Sequence, residues 1–262
     1  MKKYLAIVLF FTISLHATAQ TDFSLYQKAT YVNTNNFTLP YRILYPENYD
    51  KSKKYPLVLI LHGAGERGDN NEAQLTHGGQ LFLQEKNRKK FPAIVVFPQC
   101  PANSFWSSVD IVRDKQPVEF TFDYARPSKE PLVSTYELVK KIMSEESVDP
   151  SRVYVAGLSM GGMGTFEIVY QHPELFAAAM PICGGGDSEK YDARILKTPF
   201  WIFHGAKDPV VNVKWSREMV AKLKKLKAKV TYTEYPEALH NSWDNAFVEP
   251  EFLKWMFKQK RK

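Results

Sequence analysis

The chain is predicted to fold as one α/β domain around a mainly parallel, doubly wound sheet of about eight strands with helices on both faces. Three observations carry this expectation. Apolar segments at 56–61, 93–98, 152–156, 177–182, 199–204 and 229–234 alternate with helix-patterned segments, and alternation at this spacing makes parallel strands with crossover helices. The 152–156 segment runs unbroken into Gly157-Leu158-Ser159-Met160-Gly161 and then a helix-forming stretch. No repeat, low-complexity tract or linker divides residues 20–262, a length ordinary for a single sheet covered on both faces.

The elements follow in order. Lys2 and Lys3 precede an apolar run from Tyr4 to Leu15, and Ala17-Thr18-Ala19 before Gln20 has the small residues of a signal-peptidase site. Residues 1–19 are therefore expected to be a signal peptide, and the mature protein to be exported, periplasmic or secreted. The run is too short to span a bilayer, and no later stretch reaches the roughly 20 apolar residues required. With no cysteine at the cleavage point, no stable membrane anchor is expected.

Residues 23–32 and 37–45 read as an antiparallel hairpin turning at Asn33-Thr34-Asn35-Asn36. Leu132, Tyr136, Val139 and Met143 recur at helical intervals, as do Trp215, Met219, Leu223 and Leu226, and then Phe252, Trp255 and Met256. Residues 101–130 form a long excursion after a strand end, on the edge where α/β sheets bind ligands, and are expected to cap the cleft in part. Cys100 and Cys183 follow strands separated by two others, roughly 10–15 Å apart at about 4.8 Å per strand, so they are expected to be buried free thiols. Neither has a metal-ligand partner at useful spacing, and no metal or cofactor is expected. Lys2 and Lys3 account for two of the net charge of +7, and much of the remainder comes from Lys222, Lys224, Lys225, Lys227 and the tail 258–262. No stacking aromatics are interleaved there, so this basicity marks a solvated helix face and a terminus, and no nucleic-acid partner is expected. The oligomeric state is left open.

The chemistry lies in the sharp turn at 157–161. A strand, a tight turn and a helix around G-x-S-x-G lift a serine hydroxyl out of the sheet, which makes Ser159 the candidate nucleophile. A serine hydroxyl needs a histidine base and a carboxylate that orients the histidine. Asp208 follows the strand at 199–204 and His240 follows the strand at 229–234. The order Ser159, Asp208, His240 is that of the α/β-hydrolases. An oxyanion also needs two N–H donors. Met160, next to the nucleophile, is expected to supply one. Ala64, in His62-Gly63-Ala64-Gly65 after the strand at 56–61, is expected to supply the other, with Gly63 and Gly65 as open neighbours.

His62-Gly63-Ala64-Gly65-Glu66-Arg67-Gly68, Pro98-Gln99-Cys100-Pro101, Asp149-Pro150-Ser151-Arg152-Val153-Tyr154, the 157–162 turn and His240-Asn241-Ser242-Trp243 together carry a resemblance. The chain is similar to exported bacterial α/β-hydrolases of the esterase, phospholipase/carboxylesterase and predicted-peptidase group. It also resembles the feruloyl and acetylxylan esterases of carbohydrate esterase family 1 and the polyhydroxybutyrate depolymerases. The resemblance implies Ser159 as nucleophile, Asp208 as orienting acid and His240 as base, in agreement with the reading of the residues. It implies a cofactor-free ester hydrolase acting on small-molecule or polysaccharide-linked esters, with feruloyl or acetyl esters as the expected group. The competing readings are a serine peptidase of prolyl-oligopeptidase type and a non-catalytic sugar- or lipid-binding protein on the same scaffold.

Gln99, Trp106 and Trp243 are expected to line the substrate cleft, where indoles stack on aromatic acyl groups or sugar rings. His62 and His204 read as structural, and His77 as a residue that could face the cleft. Glu66 and Arg67 are expected to hold the 62–68 loop. Asp187 is a rival to Asp208 for the acid.

Overall fold

The computed structural model describes residues 22–115 and 118–261; the expected signal peptide at 1–19 lies outside them. An eight-stranded sheet runs β1 (Gln27–Val32), β2 (Thr38–Leu44), β4 (Ile94–Pro98), β3 (Tyr55–Leu61), β7 (Val148–Leu158), β8 (Ala178–Ile182), β9 (Phe200–Gly205) and β10 (Val230–Tyr235) across its width. β1 pairs antiparallel with β2 and β2 with β4, and every other neighbouring pair is parallel. The helices are α1 (Gly79–Leu83), α2 (Glu85–Lys90), α3 (Glu130–Glu145), α4 (Met160–Gln171), α5 (Lys214–Lys225), α6 (Trp243–Val248) and α7 (Phe252–Lys258).

The central strands read as continuous apolar runs because both of their faces are buried. Alternation along each strand sorts the side chains into two layers. Leu57, Leu59, Leu61, Val153, Val155 and Ile202 face Leu132, Phe166 and Met219 of α3, α4 and α5. Val58, Ile60, Tyr154, Ala156, Met180 and Phe203 face Leu81, Phe252 and Met256 on the other side.

β4 and β8 are separated by β3 and β7, and the cysteines that follow them, Cys100 and Cys183, are free and buried. The 101–130 excursion carries a separate two-stranded hairpin, β5 (Val109–Val112) with β6 (Glu119–Phe122). The sequence reading left this segment without strands. Its four-residue alternations, Val-Asp-Ile-Val and Glu-Phe-Thr-Phe, are too short to stand out from loop composition, and they become strands by packing on Met163 of α4 and Val211.

β7, the turn and α4 approach the carboxyl end of β3 backbone to backbone. A Cβ on Gly161 would sit 1.9 Å from the Leu61 carbonyl oxygen, and one on Gly157 would sit 2.3 Å from the Gly161 oxygen. Neither contact is relieved by a rotamer change. Gly161→Ala is therefore expected to cost at least about 3 kcal/mol, read as a lower urea midpoint with weakened near-UV circular dichroism.

Candidate active site

Ser159 stands between β7 and α4 at φ 53°, ψ −118°, a backbone state that a residue with a Cβ holds only when its surroundings enforce it. The enforcement is visible: the Ser159 N–H donates to the Ile182 carbonyl at 2.9 Å, and its own carbonyl accepts the Met163 N–H at 3.0 Å. The side chain thereby projects above the carboxyl ends of the strands.

β9 ends at Gly205, and the turn after it carries Asp208, whose side chain has no exposed surface. Oδ1 accepts the N–H groups of Val210 and Val211 at 2.8 and 2.9 Å. Oδ2 accepts from His240 Nδ1 at 2.7 Å and lies 3.2 Å from His204 Nε2. Burial disfavours the charged form, and the bonds from His204, His240 and Val211 outweigh it, holding the carboxyl below the usual carboxylate range. His240, on the loop after β10, lies with Nε2 2.9 Å from Ser159 Oγ. Because a carboxylate only accepts, Nδ1 carries the hydrogen and Nε2 is left free to take the serine proton.

Met160 begins α4 and Ala64 begins a short 3-10 turn over 64–66, so both N–H groups are helix-terminal donors without an intrahelical partner. Among the described residues neither has a backbone acceptor. Both residues line the cleft that holds Ser159 and His240, as do Gly63 and Gly65. That cleft has a volume of about 240 Å³. Its walls are apolar, including Phe105, Ile111, Phe120, Val210 and Trp243, and Glu66 and Arg113 are its charged side chains.

Of the expected substrate contacts, Trp243 lines the cleft, with its ring 5.3 Å from that of His240. Gln99 does not. It is fully buried; its Nε2 donates to the Glu66 carbonyl and Asn70 Oδ1, and its Oε1 accepts the Asn71 N–H at 2.7 Å. All of its polar capacity is spent bracing the 66–71 loop. Trp106 is also fully buried, donating Nε1–H to the His62 carbonyl at 3.1 Å. Its neighbour Phe105 faces the cleft instead. Ile111 and Phe120, missed in the sequence, arrive with the β5–β6 hairpin, and the apolar residues alternating along those two strands were the available signal.

His62 is structural: Nδ1–H donates to the Gly63 carbonyl at 2.6 Å and Nε2 accepts the Cys100 N–H at 3.0 Å. His204 is buried between Ser216 Oγ at 2.7 Å and the Val211 carbonyl at 2.9 Å. His77 sits behind Trp243, with ring centroids 5.0 Å apart, and Nε2 lies 3.7 Å from Glu66 Oε1. Arg67 donates to the carbonyls of Ala64 and Ser104, bracing the loop as expected. Asp187 accepts the Tyr124 N–H at 3.1 Å, whereas the carboxylate bonded to His240 is that of Asp208. Cys183, Asp208 and His240 offer ligand-type atoms within 4.8 Å of one another. Burial pushes the Cys183 thiol up, which disfavours the thiolate that ligates a metal, and the Asp208 oxygens already accept N–H bonds.

Residues 34–242 match the family model described as "Putative esterase". The chain is 35% identical over 130 residues to poly(3-hydroxyalkanoate) depolymerase C of Paucimonas lemoignei, covering 50% of this chain and 28% of that one. It is 26% identical over 157 residues to the bifunctional acetylxylan esterase/xylanase XynS20E of Neocallimastix patriciarum, covering 60% and 20%. Feruloyl esterase B of Piromyces equi is 27% identical over 173 residues, covering 64% and 29%. The chain thus spans less than a third of the length of these relatives. A thermostable esterase of known crystal structure superposes with a TM-score of 0.81 at 37% identity, over 91% of this chain and 64% of that one.

Burial drives the His62 imidazole down to about 4, against the opposing Gly63 bond. A depressed histidine contributes stability that is present above its ordinary value near 6.5 and is lost as pH falls toward 4, because only the unfolded chain takes the proton in that window. The stability difference between wild type and His62→Gln, measured by urea denaturation, is expected to shrink by up to about 3 kcal/mol from pH 6.5 to 4.

Proposed function

This chain belongs to the esterase family, and from that premise we propose that it hydrolyses carboxylic esters through a Ser159 acyl-enzyme. The observation that carries the reading is the continuous chain from Ser159 Oγ to His240 at 2.9 Å and from His240 to Asp208 at 2.7 Å. His240 Nε2 removes the Ser159 proton as Oγ attacks the ester carbonyl. The N–H groups of Met160 and Ala64 receive the oxyanion, and Asp208 steadies the imidazolium. His240 then returns the proton to the leaving alkoxide, and water clears the acyl-enzyme by the same proton route reversed.

For the acyl group we propose feruloyl or acetyl esters borne by plant polysaccharide. The aromatic wall of Phe105, Phe120 and Trp243 supports a flat acyl group, and the relatives named as feruloyl and acetylxylan esterases support the same class. The leader-like residues 1–19 support export, which brings the enzyme to polymers too large to enter a cell.

The test is initial rates on p-nitrophenyl acetate and butyrate, methyl ferulate, acetylated xylan and a prolyl peptide anilide. Ser159→Ala is expected to lower kcat on every ester by about 10⁴-fold or more, with ferulate or acetylxylan preferred by the wild type. Ester hydrolysis undiminished in Ser159→Ala overturns the mechanism, and faster anilide cleavage replaces esterase with peptidase.

A further inference from the structure

Glu167 stands on α4, about two turns beyond Ser159, and has no exposed surface. A carboxylate there is costly unless its acceptor sites are filled. They are filled from one source. Oε2 accepts the Ser107 hydroxyl at 2.7 Å and the Ser108 N–H at 2.6 Å. Oε1 accepts the Ser128 hydroxyl at 2.7 Å and the Ser108 hydroxyl at 3.1 Å, the latter shared with the Pro127 carbonyl. All of these donors belong to the excursion. Ser107 and Ser108 lie just before β5, and Ser128 lies beyond β6. One carboxylate on the nucleophile helix therefore clamps both roots of the hairpin.

The main core reaches the hairpin through Trp106 and Tyr124 at its roots and Phe122 of β6, and the cleft-facing Ile111 and Phe120 lie outside that core. The hairpin's own apolar contacts are a small separate cluster of Phe120, Met163 and Val211, with Ile111, Phe122 and Trp215 packed around it. Ile111, Arg113 and Phe120 of this segment are nevertheless a wall of the cleft. Arg126, two residues before Ser128, pairs with Asp110 at 3.0 Å and Asp123 at 3.3 Å and adds a favourable charge interaction with Glu167, without a hydrogen bond to it.

We propose that Glu167 is a positioning residue that fixes the hairpin wall relative to Ser159 and so sets the preference for esters carrying a bulky acyl group. The proposal rests on the ester-hydrolase reading of Ser159. With the clamp intact, the apolar wall meets a large group as it binds. With it loosened, large acyl groups lose that surface while an acetyl group, too small to reach it, loses nothing.

The experiment compares kcat and KM on p-nitrophenyl acetate, p-nitrophenyl butyrate and methyl ferulate for wild type, Glu167→Gln, Ser107→Ala and Ser128→Ala. Gln at 167 keeps one oxygen acceptor but turns an NH₂ toward groups that donate. Glu167→Gln is expected to raise KM about tenfold for butyrate and ferulate with kcat within about twofold, leaving both acetate constants unchanged. The serine variants, which leave α4 untouched, shift KM in the same direction by less and carry the test if Glu167→Gln does not fold. Amide exchange is expected to accelerate in 109–115 and 118–122 while α4 stays protected. Equal loss of kcat on all three esters, or unchanged constants in every variant, overturns the proposal. Ferulate binding to Ser159→Ala with and without Glu167→Gln, followed by tryptophan fluorescence, separates the two readings. Wild type without Ser159-dependent turnover sinks the hydrolase reading, whereas equal ferulate affinity in the two proteins sinks the role of Glu167.

Discussion

The close approach of the 157–161 turn to the end of β3 is the contact on which the rest of the site depends. With Gly161 pressed on the Leu61 carbonyl, α4 starts directly beside the loop that leaves β3. That proximity puts the Met160 and Ala64 N–H groups on one cleft. It also imposes the positive φ of Ser159, since the chain must reverse within one residue to enter α4. A Cβ at Gly161 would move Ser159 and the Met160 and Ala64 N–H groups together, because one contact sets both.

The acid and the base depend on a second arrangement, at the ends of β9 and β10. These neighbouring parallel strands deliver Asp208 and His240 to the same edge. The carboxylate is then over-determined, with two backbone N–H groups on one oxygen and two histidines on the other. A buried anion supplied with that many donors stays ionised and stays oriented, which selects the His240 tautomer that leaves Nε2 facing Ser159. His204 is held in turn by Ser216 and the Val211 carbonyl, so the acid is supported from β9 and from α5 at once.

The strands and the three residues of the Ser-His-Asp chain were legible because each is a local signal. Apolar runs bounded by turn residues mark strands buried on both faces, and Gly157-Leu158-Ser159-Met160-Gly161 announces its own geometry. Asp208 and His240 are the carboxylate and imidazole that follow strands downstream of the serine. The cleft walls were not legible in the same way. Gln99 and Trp106 sit beside the site in sequence, yet bury themselves to satisfy the Asn71 N–H and the His62 carbonyl. Phe105 faces the cleft while the larger indole next to it is buried, and nothing local says which of two adjacent aromatics turns inward. Glu167 reads in sequence as one polar residue in an apolar helix, and its partners lie 39 to 60 positions away.

The sequence by itself determined the sheet, the order of its strands' chemistry and which serine, histidine and carboxylate follow the strand ends, because periodicity and turn composition act over a few residues. Only the tertiary structure decided which side chains bound the cleft, which loop residues became braces and how the hairpin is anchored. Those outcomes are settled by long-range competition for burial and for hydrogen-bond partners, and no short segment encodes the result of that competition.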